Sequence, residues 1–402
     1  MQPLKITING NFWDVQIYKD RLYLWDMNGD LSVYNWDESL GGLYNNDKFI
    51  ELPIICGFSR GDYLYNSNFN LIYEDSAIKD LILKKFKKAS KVNIDLDLKS
   101  MELRNKQANP FLELQADSEI YYNNMYAATR KGLFSATAHR SDKKYPVNAR
   151  GKLKWDCPNV QSIKAHSKRL SLSAGSDGLF ELFIDKESFY PPYFKKIDDK
   201  IVQLSEQHSL VSTYAFSSIY NTSDIKGSFL IANYWENDEN SNNLKLKFDK
   251  IYYEEDIFTD NNSVFSWAEN EKIYCIGKNE PLKVIKFTQG NINKNNNIIF
   301  ESLKFEDSLN VLNDEEIISA DVAQFGTIIE HNKGLTILQS DGEKYRINGD
   351  ITRWRVYPRS KRYMNHLHVI LNDRIEIYSF NHDYFVEQNT KIYGIKPVNE
   401  AN

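Results

Sequence analysis

The chain has 402 residues, with 50 Lys and Arg against 55 Asp and Glu for a net charge of −5. No overall field therefore draws it to nucleic acid or an anionic membrane, and any such contact needs a local basic patch. With 42 % apolar residues, 25 Tyr and 22 Phe beside only 5 Met and 10 Pro, the composition suits a globular core built from strands more than from helices.

In chain order, the opening "MQPLKITINGNFWDVQ" lacks the basic region, apolar region and small-residue cleavage site of a secretory signal. No window approaches the roughly 18 apolar residues of a membrane span. "LYLWDMNGDLSVYNWDESL" (22–40) then reads as strand, Asn28-Gly29 turn, strand, with Leu22/Leu24 and Leu31/Val33 alternating on either side. Its Asp26-x-Asn28-x-Asp30 spacing invites comparison with a calcium loop. Such a loop needs Gly at its sixth place and Glu at its twelfth, where Leu31 and Asp37 stand. The tight turn is the expected reading.

"GFSRG" (57–61) has the spacing of a hydrolase nucleophile elbow around Ser59. "ELPIIC" before it reads as a strand, but "DYLYNSNFNLIYED" after it continues as β rather than helix, so a loop between strands is expected. Next, Ile78, Ile82, Phe86 and Ala89 recur at helical spacing, with Asp75 or Ser76 placed to cap the start. Lys84, Lys85, Lys87 and Lys88, with Lys79 and Lys91, crowd the other faces. Residues 76–91 are therefore expected to form a short basic, helical insertion that is either a solvated surface or a contact for a partner or nucleic acid.

The hairpin grammar of residues 22–40 returns in "NMYAATRKGLFSATAHR", in "RLSLSAGSDGLFELFID" and, more loosely, in five other stretches. Second strands begin near residues 31, 69, 133, 179, 228, 282, 335 and 374, a mean step of about 49 residues, and a unit of roughly 40–50 residues with four short strands is a propeller-blade period. Flanking segments such as "FLELQADSEIYY", "NARGKLKW", "EEIISADVAQF" and "EKYRING" supply the remaining strands. On these residues the chain resembles the β-propeller superfamily over almost its full length. The Trp-Asp pairs at 25–26, 36–37 and 155–156 invite comparison with WD-repeat proteins, yet they do not recur in register and lack the upstream Gly-His. The resemblance implies an all-β fold, one domain over 1–402, with eight four-stranded blades as first choice and seven as second. The insertion falls in blade 2, "LKITI" and "KIYGIKP" are expected to share the last blade, and the Asn-rich tracts 236–243 and 291–297 are expected to be loops.

Chemistry-bearing constellations are sparse. Cys56, Cys157 and Cys275 are odd in number, far apart and without a C-x-x-C pair, which argues for a reducing compartment and against a disulfide framework or thiolate zinc. His366 and His368 share one face of a strand, but no third metal ligand can be named. No phosphate loop or H-E-x-x-H helix is present. No catalytic residue, metal or cofactor is expected. The densest recognition candidate is "ITRWRVYPRSKRYMNHLH" (351–368): on a strand, Arg353, Arg355 and Tyr357 face one way and Trp354 the other, followed by Arg359, Lys361 and Arg362 in a loop. Arginines among aromatics can bind phosphate, stack bases or form a protein hot spot, or can simply pair with carboxylates while Trp354 packs. The expected function is a cytoplasmic, non-enzymatic scaffold that binds a partner protein through a propeller face within a complex and does not enter a membrane. The alternatives are a nucleic-acid or nucleotide sensor and a glycan-acting hydrolase or lyase.

Overall fold

Alternating apolar residues flank each tight turn, and the strands pair where that alternation leads. Trp25 pairs with Leu31 across the first hairpin. There Asp26 Oδ1 accepts from Asn28 N at 2.8 Å and Asp30 N at 3.0 Å, and Gly29 takes φ +82°. Asp26 is thus spent on the loop's own backbone, as a turn requires, while Asp30 Oδ1 accepts from Asn109 N at 3.2 Å.

The computed structural model describes residues 2–384 except 45–49, 60–62, 65–71, 139–149, 158, 185–193, 198–199, 224–226, 238–243, 259–262, 278–281, 289–297, 304–314 and 382–383. Its strands form seven sheets. Blade 1 comprises Phe12–Tyr18, Arg21–Asp26, Leu31–Asn35 and Glu102–Gln107. Blade 2 comprises Asp117–Tyr121, Asn124–Thr129, Gly132–Thr137 and Lys152–Trp155. Ser162–His166, Arg169–Ser173, Leu179–Phe183 and Ile201–Ser205 make blade 3, with the short Lys195–Lys196 beyond them. Blade 4 is Val211–Ala215, Ser218–Thr222, Phe229–Asn237 and Leu244–Tyr253, and blade 5 is Ser263–Glu269, Lys272–Gly277, Lys283–Thr288 and Ile299–Leu303. Blade 6 is Ile317–Ala323, Gly326–His331, Gly334–Gln339 and Lys344–Asn348. In blade 7, Ile351–Val356, His366–Leu371 and Arg374–Ser379 are completed by Leu4–Asn9, which Ile94–Asp95 joins in parallel. The fold is a seven-bladed β-propeller.

Seven is the second of the two expected counts, and the preferred eight is corrected. Seven of the eight expected second strands lie in blades; the one expected near residue 69 lies outside the described residues. The described parts of residues 36–101, between the third and outermost strands of blade 1, are largely helical. They contain α1 (Trp36–Tyr44), α2 (Glu51–Phe58) and α3 (Ser76–Ala89). "ELPIIC" is therefore helix rather than strand, while most of "DYLYNSNFNLIYED" lies outside the described residues. α3 is the expected basic helix. Asp75 caps it by accepting from Ala77 N at 2.9 Å and Ile78 N at 3.2 Å, and Ile82, Phe86 and Ala89 are buried. "LKITI" does complete blade 7, whereas "KIYGIKP" and tract 291–297 lie outside the described residues. Of tract 236–243, Glu236 and Asn237 end a strand, paired with Lys245 and Leu244, and the rest is not described.

The chain divides into two compact units. One is Met1–Leu114, His139–Ala149 and Glu316–Asn402, and carries blades 1, 6 and 7; the other is Gln115–Ala138 and Arg150–Glu315, and carries blades 2 to 5. Each has apolar clusters of its own. In the first, Leu4, Ile6, Trp36, Ile54, Phe58, Ile82 and Phe86 pack together. In the second, Leu170, Leu172 and Phe180 form one cluster and Tyr220, Leu230 and Ile273 another. Among the described residues no helix is long and apolar enough to cross a membrane.

Ile6 is fully buried in a strand paired on both sides. Ile6→Ala is expected to cost about 2–5 kcal/mol in urea denaturation, whereas Leu103→Ala, at a residue 50 % exposed, should stay within about 0.5 kcal/mol.

Candidate functional site

The segment 351–368 builds two different environments. Its strand, Ile351–Val356, is the first of blade 7 and lies beside the first strands of blades 1 and 6. The expected alternation holds. Arg355 turns toward blade 1, where its Nε and Nη2 donate to Asp14 Oδ1 and Oδ2 at 2.7 and 2.9 Å. Arg353 lies 3.7 Å from the same carboxylate and 5.6 Å over the Trp13 ring. Trp354 turns the other way, and its indole Nε1 donates to Glu330 Oε2 at 2.8 Å and to Ser319 Oγ at 3.2 Å in blade 6. Asp14 is fully buried, and the bidentate guanidinium of Arg355 gives its carboxylate a charge-assisted partner away from water.

Tyr357 begins a chain of hydrogen bonds running inward. Its hydroxyl is 3.3 Å from His368 Nδ1, His368 Nε2 is 3.4 Å from His366 Nδ1, and His366 Nε2 is 2.8 Å from Gly57 O. A carbonyl can only accept, so His366 carries its proton on Nε2. Its Nδ1 then accepts from His368 Nε2–H, and His368 Nδ1 accepts from the tyrosine. Both rings are neutral in this arrangement. Burial pushes the His366 pKa down to about 4, partly opposed by the Gly57 carbonyl. Burial, then His366 and Arg355, hold His368 well below the ordinary histidine range. The pair expected on one strand face is thus an internal connection between blade 7 and α2. Among the described residues no group of three or more His, Cys, Asp or Glu could hold a metal ion.

Ser59 follows the end of α2 and its hydroxyl donates to Ile55 O at 2.7 Å. This is a helix C-terminus rather than a strand-to-helix elbow. None of the three cysteines is disulfide-bonded.

Beyond Tyr357 the segment becomes a surface. In blades 1 to 6 the first and second strands are joined by two residues, but in blade 7 the connection is 357–365, nine residues. Ser360 organises it: its amide donates to Tyr357 O at 3.0 Å, and its hydroxyl accepts from Arg362 N at 3.3 Å and Tyr363 N at 3.1 Å. Tyr363 and Met364 are buried, and the Tyr363 hydroxyl donates to Lys19 O in the adjoining turn of blade 1. Lys361 and Arg362 are exposed, with Arg359 half-buried beside them.

No protein-family model matches the chain, and no curated protein matches it. Solved structures with a similar fold include the WD40 β-propeller domain of Doa1, at 7 % identity over 97 % of this chain and 95 % of that one, with a TM-score of 0.43. The β-propeller domain of Cps50 (Swd1) from Myceliophteria thermophila is similar at 10 % identity over 94 % and 99 %, with a TM-score of 0.49. The computationally designed Ika8 protein is similar at 7 % identity over 94 % and 100 %, with a TM-score of 0.43. Such likenesses carry no information on binding or activity, and the blade count rests on the sheet order alone.

The sequence candidates therefore separate. Arg353, Arg355, Trp354 and Tyr357 face carboxylates and histidines inside the protein, while Arg359, Lys361 and Arg362 belong to the outer loop. Lys84, Lys87 and Lys88 are exposed on α3, and Lys85 is half-buried there. The residues that sequence reading missed are Asp14, Trp13 and Glu330. The pairing of strands was readable, but their partners lie up to 341 positions away along the chain.

Arg355→Ala leaves Asp14 buried without its bidentate partner and is expected to cost about 3–5 kcal/mol in urea denaturation, against about 0.5 kcal/mol or less for Lys361→Ala. Unfolded His366 protonates near pH 6.5 and folded His366 only near 4, so the unfolded state binds more protons between those values. Its contribution is complete above pH 6.5 and lost as pH falls toward 4, on the order of 3 kcal/mol. Stability measured across this window should fall less steeply in His366→Gln, which has no ring to protonate.

Proposed function

We propose that this chain is a non-enzymatic interaction module that binds a partner protein through loop 357–365 of blade 7. One observation carries the reading: this is the first-to-second strand connection that departs from two residues, and its extra length is anchored by buried Tyr363 and Met364 while Lys361 and Arg362 stay exposed. Its interior groups, Ser360 and Tyr363, hold the backbone in place, so Lys361 and Arg362 are presented on a preformed support. Preorganised loops of this kind lose little conformational entropy on binding. A protein built around buried Asp14 keeps its inner arginines for stability and its outer cations for contact.

The exposed lysines of α3 favour a second reading, in which the basic segments contact nucleic acid. The two differ in salt response. Phosphate contacts release counterions, and affinity then falls linearly with salt on logarithmic axes. Affinity purification from the source cells, with nuclease present, is expected to yield a stoichiometric protein with the wild type and to lose it with Lys361→Ala/Arg362→Ala, while both proteins melt at the same temperature. Unchanged recovery with the double variant would remove the loop as the site. Recovery of nucleic acid alone, lost at high salt, would favour α3 and the second reading.

A further inference from the structure

Helix α3 has two faces of opposite character. At about 100° per residue, Ile78, Ile82, Phe86 and Ala89 project to one side, and Ile82, Phe86 and Ala89 are buried there. Ala77, Asp80, Leu81, Lys84, Lys87 and Lys88 fall within an arc of about 120° on the opposite side, and all six are exposed. Because they occupy successive turns of one helix, they form a continuous strip about 16 Å long. Lys91, also exposed, extends the strip past the helix end, where its amide donates to Lys88 O at 3.3 Å.

No ion pair joins Lys84, Lys87 or Lys91 to a carboxylate among the described residues, and Asp80 is the one acid on the strip. Lysines in the last turn of a helix favour the helix by themselves, since they offset its macrodipole. Leu81 has no such explanation. It is 54 % exposed, one turn before Lys84, and Val92, 43 % exposed, follows the end of the strip. Apolar side chains held in water among unpaired cations point to a surface that is both anionic and apolar beneath.

We propose that the outer face of α3 rests on the surface of an anionic lipid bilayer, with its lysines among the headgroups and Leu81 at the acyl boundary. The net charge of −5 gives the chain no general attraction to such a surface, so the strip has to supply it locally. Each lysine near an anionic bilayer is worth about fivefold in partitioning, and Lys84, Lys87 and Lys91 together roughly a hundredfold. Other anionic partners fit less well. Nucleic acid is gripped through arginine forks and aromatic stacking, and α3 has no arginine and turns its one aromatic residue, Phe86, inward. A partner helix needs apolar residues at every third or fourth place along the seam, where this strip has lysines from Lys84 onward. A bilayer asks for charge without a fixed pattern. This surface does not depend on the loop of blade 7.

The test is sedimentation of the full chain with vesicles of phosphatidylcholine, alone or with about 30 % phosphatidylserine, at physiological ionic strength. The chain is expected to sediment with the charged vesicles and not with the neutral ones. Phosphatidylglycerol should replace phosphatidylserine without loss, because a lysine reads charge rather than headgroup shape. Lys84→Gln/Lys87→Gln/Lys91→Gln should weaken partitioning roughly a hundredfold. Leu81→Gln should weaken it at least ~twofold through lost apolar contact, with its salt dependence unchanged. Both variants should melt within about 2 °C of the wild type, since every substituted residue is exposed. Lys361→Ala/Arg362→Ala should partition as the wild type does, which separates this face from the basic loop. Failure to sediment with charged vesicles at ~1 mM accessible lipid, or undiminished partitioning of either α3 variant, would overturn the proposal. So would tighter retention of a duplex of about 20 base pairs through the same lysines, with Leu81→Gln binding it as the wild type does.

Discussion

Strand Leu4–Asn9 is the constraint on which blade 7 and the helical insertion both depend. It pairs along its whole length with Arg374–Ser379, from Leu4 opposite Ser379 to Asn9 opposite Arg374. Without it, Arg374–Ser379 would be an open edge, a template for pairing with another chain. On its other side, Ile6 and Thr7 meet Ile94 and Asp95, and Leu96 N donates to Thr7 O at 2.8 Å, so the insertion returns to the sheet along this strand. Lys5 reaches Glu376 at 3.3 Å across the pairing. Burial alone would push the Glu376 carboxyl up, but bonds from Tyr378, Arg374 and Lys5 hold it below its ordinary range. The same strand limits α2: a side chain at Gly57 would place Cβ 2.8 Å from Leu4 Cδ1. The end of α2 can approach so closely because its last carbonyls have partners. Ser59 takes Ile55 O, Asn381 takes Cys56 O, His366 takes Gly57 O and Trp36 takes Phe58 O.

Apolar packing is non-directional and would tolerate neighbouring blades sliding past one another. Buried charge supplies direction. Asp14 with Arg355 links blades 1 and 7, while Glu181 with Arg169 and Tyr214 links blades 3 and 4. In each case a fully buried carboxylate meets its guanidinium only when the strands stand in one register, so a slip would leave an ion stranded away from water. The two units thus use the same device separately.

Much of this was legible in the sequence because hairpins are local. Period-two alternation around a turn needs only about a dozen residues to be seen, and seven of the eight expected second strands were placed by it. α3 was legible for the same reason, since Ile78, Ile82, Phe86 and Ala89 mark a face and Asp75 a start. α2 was not. "ELPIIC" is apolar without period, a pattern that strand and buried helix share, and what decides in favour of helix is a set of capping side chains from residues as distant as His366 and Asn381. The eighth blade came from a separate reading, "DYLYNSNFNLIYED" as a hairpin, and most of that stretch lies outside the described residues. At the candidate site, the opposed faces of Arg353 and Trp354 could be read from alternation. Their partners could not, because a lone Asp in "FWDVQ" gives no sign of what it will face. The distinction between Arg355 inside and Arg362 outside is a matter of burial that spacing does not encode.

The division of labour within a blade explains where function can be placed at all. Second and third strands are buried almost throughout, as in Arg169–Ser173, Leu179–Phe183 and Gly334–Gln339, and any change there disturbs close packing. Some outermost strands are exposed and set with cations, as in Lys152-Leu153-Lys154 and Lys344–Asn348, which discourages edge-to-edge pairing. The turns between first and second strands answer to neither demand. A two-residue link closes a hairpin at small entropic cost, so a longer loop or an aromatic residue at positive φ lowers stability and has to be carried by the rest of the fold. Residues 357–365 depart from the pattern in length, and the turn residues Tyr122 and Phe216, at φ 47° and 58°, depart from it in residue type. Because the strands beneath them are fixed by paired charge and full burial, these departures can persist without loosening the blades that hold them.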